Sequence, residues 1–211
     1  GLPAKLTATQ LKGRLLDDEI SKDAAHTPYL RPLSQPKFRR ESKGLTPAER
    51  GTDTHLALQF LNFHDLDAKQ QVSDMTAAGK LTEEQAGAVD IKALEGFLNS
   101  SLADEIRKAE QVLREYRFTL LVSAQEYAPA APKDDFILLQ GVADCCFYSP
   151  DGLTIVDFKT DHVYHYDDIN TRAEHYRPQL NAYSLALSRV LQRPVHRKIL
   201  YFLSPGKMIE V

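Results

Sequence analysis

The sequence predicts an α/β protein, a mixed central β-sheet flanked by helices, with a helical segment ahead of the sheet. Three observations predict it. Residues 46–114 repeat apolar side chains at helical spacing. Residues 115–160 hold three runs rich in β-branched and aromatic residues, separated by turn formers. A long helical pattern then intervenes before one more β-rich run. Strands joined first by hairpins and then by a helical crossover make a mixed sheet with helices packed on it. With 211 residues, 43% of them hydrophobic, the chain can bury one sizeable core, and one domain is expected. Its expected parts are a linker-like segment (1–45) and a main unit (46–211), helical over 46–114 and sheet-based over 115–211.

The elements follow in order. Residues 6–12 read as the start of a short helix with a threonine N-cap, and the stretch to Pro47 is rich in Pro, Ser, Lys and Arg. Lys37, Arg39, Arg40, Lys43 and Arg50 face only Glu41 and Glu49 there, which fits a solvated basic loop and a phosphate-contacting one equally. Thr46 as N-cap, Pro47 in the first turn and Glu49 as the capping-box partner open a helix that runs through Leu61, with His55, Leu58 and Leu61 on one face. Helical patterns follow at about 66–77, 82–87, 90–99 and 102–113. Strands are expected over 116–123, 136–148 and 153–160, a long helix over about 171–191, and a strand over 198–203. Residues 208–211 can pair with that last strand through the turn Ser204-Pro205-Gly206-Lys207.

Composition excludes several classes. A charged fraction of 26% and a net charge of −3 argue against a large, uniformly basic nucleic-acid surface, so any such contact must be local. Cys145 and Cys146 are adjacent on a strand and point to opposite faces, which disfavours a mutual disulfide. With no C-x-x-C spacing, zinc ribbons and cysteine-held iron–sulfur clusters are not expected. No secretory h-region and no apolar run near about 18 residues occur, so the expectation is a cytoplasmic protein without membrane contact. The chain opens on Gly-Leu-Pro and stops at Val211 inside a strand pattern, which reads as a piece of a larger protein.

The chemistry concentrates in one hairpin, Gly141-Val142-Ala143-Asp144, the turn Ser149-Pro150-Asp151-Gly152, and Ile155-Val156-Asp157-Phe158-Lys159. Counted from the turn, Asp144 and Asp157 oppose each other on one face. A glycine bulge after a type I turn would slip the register by one and oppose Asp144 to Phe158. The shared-face register is adopted, because the slip would send one carboxylate to the wrong layer. Like charges in that position repel. Two facing carboxylates with Lys159 two residues along the same face suggest a hard divalent metal beside a reaction centre.

With this hairpin in view, the chain resembles the PD-(D/E)XK nuclease superfamily, and within it the RecB-like nuclease domains. The likeness rests on Gly141-x-x-Asp144, on Val156-Asp157-Phe158-Lys159-Thr160-Asp161, on Tyr176-x-x-Gln179-Leu180-x-x-Tyr183, and upstream on Arg50-Gly51-Thr52-x-x-His55. It is most similar to the C-terminal nuclease domain of AddA-type helicase-nucleases. The resemblance implies a restriction-endonuclease-like fold. It implies that His55, Asp144, Asp157 and the backbone carbonyl of Phe158 ligate Mg²⁺, with Mn²⁺ as an alternative. It assigns Lys159 to the attacking water and the phosphorane, and Gln179 and Tyr183 to positioning DNA and nucleophile, so that Asp144, Asp157, Lys159, Gln179 and Tyr183 form the catalytic set. The implied function is exonucleolytic cleavage of a single-stranded DNA end in double-strand break repair and recombination, beside a second subunit of an AddAB-type complex. ATP use would belong to a helicase part outside this sequence. Competing readings are an inactive nuclease-fold scaffold and a self-standing RecB-like exonuclease.

Bland roles compete for each residue. Tyr176, Leu180, Tyr183 and Leu187 form a helical stripe whose ordinary role is packing. Asp161 reads as a surface cap, and Glu115 as outer support or simple surface charge. His64, His162, His165 and His175 lack a ligand context.

Overall fold

The computed structural model describes residues 4–8, 47–160 and 166–211. Along the chain these form β1 (Lys5–Thr7), α1 (Pro47–Phe60), α2 (Ala68–Ala77), α3 (Glu83–Ala88), α4 (Ile91–Leu98) and α5 (Ser101–Lys108). There follow β2 (Val112–Ser123), β3 (Phe136–Ser149), β4 (Gly152–Lys159), α6 (Tyr166–Val190), β5 (Val195–Phe202) and β6 (Lys207–Glu210). The strands build one six-stranded sheet in the order β1-β3-β4-β5-β6, with β2 on the other edge of β3. β2–β3, β3–β4 and β5–β6 pair antiparallel, whereas β1–β3 and β4–β5 pair parallel. The mixed sheet flanked by helices is thus the expected fold class, and α6 is the crossover that a parallel β4–β5 pair requires.

Two helical layers cover the sheet. On one face α1 to α5 bury Leu58, Leu61, Leu94, Phe97, Leu98, Leu102 and Ile106 against Cys145, Phe147, Val156, Phe158, Ile199 and Tyr201. Phe97 holds this layer to the sheet, its ring meeting Phe63, Phe158 and Tyr201 edge-on at 5.1, 5.0 and 5.2 Å. On the other face α6 buries Tyr176, Leu180, Tyr183 and Leu187 against Leu139, Cys146, Ile155, Leu200 and Phe202. Cys145 and Cys146 therefore enter opposite cores as free thiols, and burial pushes the Cys146 thiol up to about 12.

The short helices begin where their caps place them. Asp67, Thr82, Asp90 and Ser100 each accept a backbone N–H of the first turn, and Thr82 with Gln85 completes a capping box. The Thr46 cap, the Lys37–Lys43 cluster and Asp161, His162 and His165 lie outside the described residues.

Two expectations need correction. Leu6 and Thr7 are not helical; they lie in β1, in parallel register with Leu139 and Gln140 of β3. Threonine and leucine suit either state, and the free edge of β3 selects the strand. Val112 and Leu113 leave the predicted helix and open β2 opposite Phe147 and Cys146, because α5 stops at Lys108 and its cap residue Ala109 is extended, with φ −67° and ψ 144°.

The hairpin register is the shared-face one. Ser149 pairs with Gly152 and Cys145 with Val156, leaving Pro150 and Asp151 as the two-residue loop. Gly152 takes φ +142°, and a Cβ there would stand 2.7 Å from the Pro194 carbonyl oxygen, so glycine is required on both counts.

Candidate active site

The site forms where β3 and β4 part. β2 occupies one edge of β3, while β1 covers Leu138–Gln140 and β4 covers Cys145–Ser149 on the other. Residues 141–144 of that second edge have no ladder partner among the described residues. A side chain fills the gap, since Asp144 Oδ2 accepts the Phe158 N–H at 2.9 Å. β4 meanwhile continues beside β5 as far as Lys159, opposite Phe202. Asp144 and Asp157 thus flank the mouth of a split rather than a closed ladder.

His55 reaches this mouth from α1, its Nε2 lying 3.5 Å from Asp144 Oδ1. The helix is tied down by Arg114, whose guanidinium donates to the Leu61 carbonyl at 2.6 Å and to that of Leu58, and stacks 4.2 Å from the centre of the Phe63 ring. An arginine on carbonyls at a helix C-terminus also favours the macrodipole. Glu115, next in sequence, supplies a third group: ligand atoms of His55, Glu115 and Asp144 all lie within 4.8 Å of one another. Glu115 falls between the pairs Arg114–Cys145 and Tyr116–Ala143, at the level of Asp144, and adopts a left-handed φ of 49°. Such backbone strain in a non-glycine residue concentrates at functional sites. Sequence reasoning left Glu115 in a supporting role; its level with Asp144 across the β2–β3 ladder is the signal that elevates it.

The second half of the site is buried between β4 and α6. Asp157 and Lys159 form an ion pair. Gln179 lies between the groups, its Oε1 3.5 Å from Lys159 Nζ and its Nε2 3.5 Å from Asp157 Oδ1, and it donates to Tyr183 Oη at 2.6 Å. The Tyr176 ring centre stands 4.0 Å from Lys159 Nζ, so this member of the packing stripe also contacts the cation. Tyr183 is seated by a close approach on β3: a Cβ at Gly141 would stand 2.5 Å from Phe118 Cζ and 3.1 Å from Tyr183 Cε1. The two rings pack edge-on at 5.7 Å in the space this leaves.

The structure therefore gathers His55 with Asp144, adds Glu115, and links Asp157, Lys159, Gln179 and Tyr183 in a separate chain of contacts. Phe158 joins the halves through its N–H, while its ring enters the core under α4. The electrostatics reflect crowded carboxylates. The hydrogen bond to Asp144 raises the His55 imidazole above its ordinary value against the pull of burial. Burial, and then the Asp144 charge, raise Glu115. Burial followed by the charges of Asp157 and Asp144 drives the Tyr183 hydroxyl far up, so it stays a neutral donor and acceptor. Protons and a cation would compete for such a cluster.

Residues 28–210 match the PD-(D/E)XK nuclease superfamily. The chain belongs to that superfamily and constitutes a nuclease domain of it. It is 35% identical over 216 residues to the AddA-type ATP-dependent helicase/nuclease of Ruminiclostridium cellulolyticum, covering 100% of this chain and 17% of the relative. It is likewise 35% identical to the corresponding helicase/nuclease of Thermoanaerobacter sp. (strain X514), over 99% of this chain and 17% of that one. The chain thus spans about a sixth of the length of these relatives. The crystal structure of SSO0001 is a remote likeness, at 12% identity and a TM-score of 0.37 over 93% of this chain and 74% of that one.

Proposed function

We propose that this chain is a metal-dependent DNA exonuclease, hydrolysing phosphodiester bonds at a single-stranded end. The observation that carries the reading is the juxtaposition of a three-residue ligand set, His55, Glu115 and Asp144, with the buried Asp157–Lys159 pair. One imidazole and two carboxylates converging within 4.8 Å fit a small divalent cation; the two hard carboxylates favour Mg²⁺, and the borderline imidazole also accommodates Mn²⁺. When bound, such an ion acidifies a coordinated water and offsets charge on a phosphate oxygen.

The rest is the work of the protein's own groups. In this reading Asp157 completes the ligand set or orients the attacking water, a role supported by its register opposite Asp144 across the split. Lys159 holds a positive charge in a site shielded from solvent, where it offsets the charge that builds on the phosphoryl oxygens. Gln179 bridges Asp157, Lys159 and Tyr183, and so fixes the rotamers of both charged groups. Tyr183, neutral, is a donor toward a phosphate oxygen. The Phe158 carbonyl is a further oxygen for the cation.

The similarity to the AddA-type helicase/nucleases supports a wider role, as the nuclease part of an ATP-dependent helicase-nuclease working with a second subunit in cytoplasmic double-strand break repair and recombination. No Walker A sequence occurs in these residues, so ATP hydrolysis would be supplied by a helicase part. The test is cleavage of end-labelled single-stranded DNA with Mg²⁺, with EDTA, and by Lys159→Ala. Cleavage that requires both metal and Lys159 supports the reading, and the product ladder gives polarity. Metal binding without cleavage would mean an assembled site that lacks a DNA-feeding partner, and no metal binding at all would favour an inactive scaffold.

A further inference from the structure

Between α1, the start of α4 and the ends of β4 and β5 lies a cavity of about 330 Å³ that the proposed chemistry does not use. Arg50 and Lys92 bring cations to it, Thr160 and Ser204 hydroxyls, and Val89 and Leu203 an aliphatic wall. Its walls adjoin the site along the chain. Arg50 lies on α1 ahead of His55, Thr160 follows Lys159 at the end of β4, and the Leu203 N–H donates to the Lys159 carbonyl at 2.8 Å. α1 and β4 approach closely here, because a Cβ on Gly51 would stand 2.6 Å from Thr160 Oγ1.

The charge balance of the cavity favours an anion. Arg50 and Lys92 are exposed and form no ion pair among the described residues. The carboxylate that lines it, Asp90, is engaged as the cap of α4, accepting the Ala93 N–H at 3.0 Å. The volume sits at the small end of ligand pockets. It has room for one unpaired nucleotide and none for a duplex. No aromatic residue lines it among the described residues, so a base would meet aliphatic surface without a stacking platform, and base identity would matter little.

We propose that this cavity is a subsite for the unpaired nucleotide next to the scissile phosphodiester, with Arg50 and Lys92 on its phosphate and Val89 and Leu203 against its base and sugar. The proposal rests on the nuclease reading for its substrate and adds a physical cause of single-strand selection. Its test is independent of turnover. Binding of a short fluorescent oligothymidylate to the 211-residue chain is followed by anisotropy in Ca²⁺ across a salt series, with a duplex of equal length alongside.

The Arg50→Ala/Lys92→Ala double variant is expected to bind the single strand roughly tenfold more weakly, with a salt slope lower by about 0.7 per lost charge. Its duplex affinity should change much less. Lys69→Glu, on the exposed face of α2, controls for net charge. Unchanged affinity and slope in the double variant, or an equal loss in Lys69→Glu, would overturn the subsite. Cleavage by a wild-type chain whose double variant binds normally refutes the subsite alone. Charge-dependent single-strand binding by a chain that neither binds metal nor cleaves upholds the cavity as a single-strand contact and refutes the nuclease reading alone.

Discussion

At Asp144 a single carboxylate does two jobs: it replaces a missing ladder hydrogen bond at the Phe158 N–H and it faces His55 and Glu115. Asparagine keeps the acceptor and removes the charge. Asp144→Asn is therefore expected to melt near the wild-type temperature while losing more than about 100-fold in cleavage, beyond the usual cost of changing a group that only contacts a ligand; melting and end-labelled cleavage measure the two. Asp157 behaves differently. From the sequence, removing one of two facing carboxylates should relieve repulsion and leave the fold intact. The structure instead pairs Asp157 with Lys159, both buried, so Asp157→Ala strands an ammonium and should cost about 3–5 kcal/mol in urea unfolding. An Asp157→Ala variant as stable as wild type would show that the pair is not formed in solution. The hydrogen bond to Asp144 raises the His55 pKa. The imidazole stays protonated to higher pH than an ordinary histidine, and a protonated ring cannot ligate, so Mg²⁺ affinity should fall as pH drops through that raised value. Calorimetry over a pH series reads this directly, and His55→Asn should flatten the dependence.

At the scale of elements, the site depends on how three of them are held. Arg114 staples the end of α1 to β2, and so sets where His55 emerges. α6 carries Pro178 inside its 25 residues, which frees the Glu174 carbonyl from its helical partner immediately before Gln179. Gly141 leaves the space in which Phe118 and Tyr183 meet. Gly141→Ala places a methyl 2.5 Å from the buried Phe118 ring, an overpacking expected to cost about 1–3 kcal/mol. Because the displaced ring touches Tyr183, cleavage should fall more than the melting temperature alone would explain. The hairpin itself was legible in the sequence, since its turn residues and its alternation are local. The β5–β6 hairpin was legible for the same reason. β1 was not, because three residues carry no periodicity and acquire a structure only from the free edge of β3.

For the whole molecule, the crowded carboxylates predict linkage between metal and stability. A cation that binds only the folded chain stabilises it by about 2.7 kcal/mol at 100 times its Kd. Melting temperature should therefore rise with Mg²⁺, return with EDTA, and respond weakly in Asp144→Asn. The sequence by itself determined the fold class, the hairpin register and the order of the helices from α1 to α6, because these rest on short-range spacing and turn chemistry; it offered His55, Asp144, Asp157, Lys159, Gln179 and Tyr183 as site candidates through the resemblance of four short motifs. Tertiary structure alone decided the rest. It turned Val112 and Leu113 from helix to strand opposite Phe147 and Cys146, and it opened β3 from β4 at Asp144. It brought Glu115, 60 positions from His55, into one ligand group, and bound Asp157 to Lys159 as a buried pair. Those outcomes depend on which strand edges and helix ends meet in space, and no local pattern along the chain encodes that.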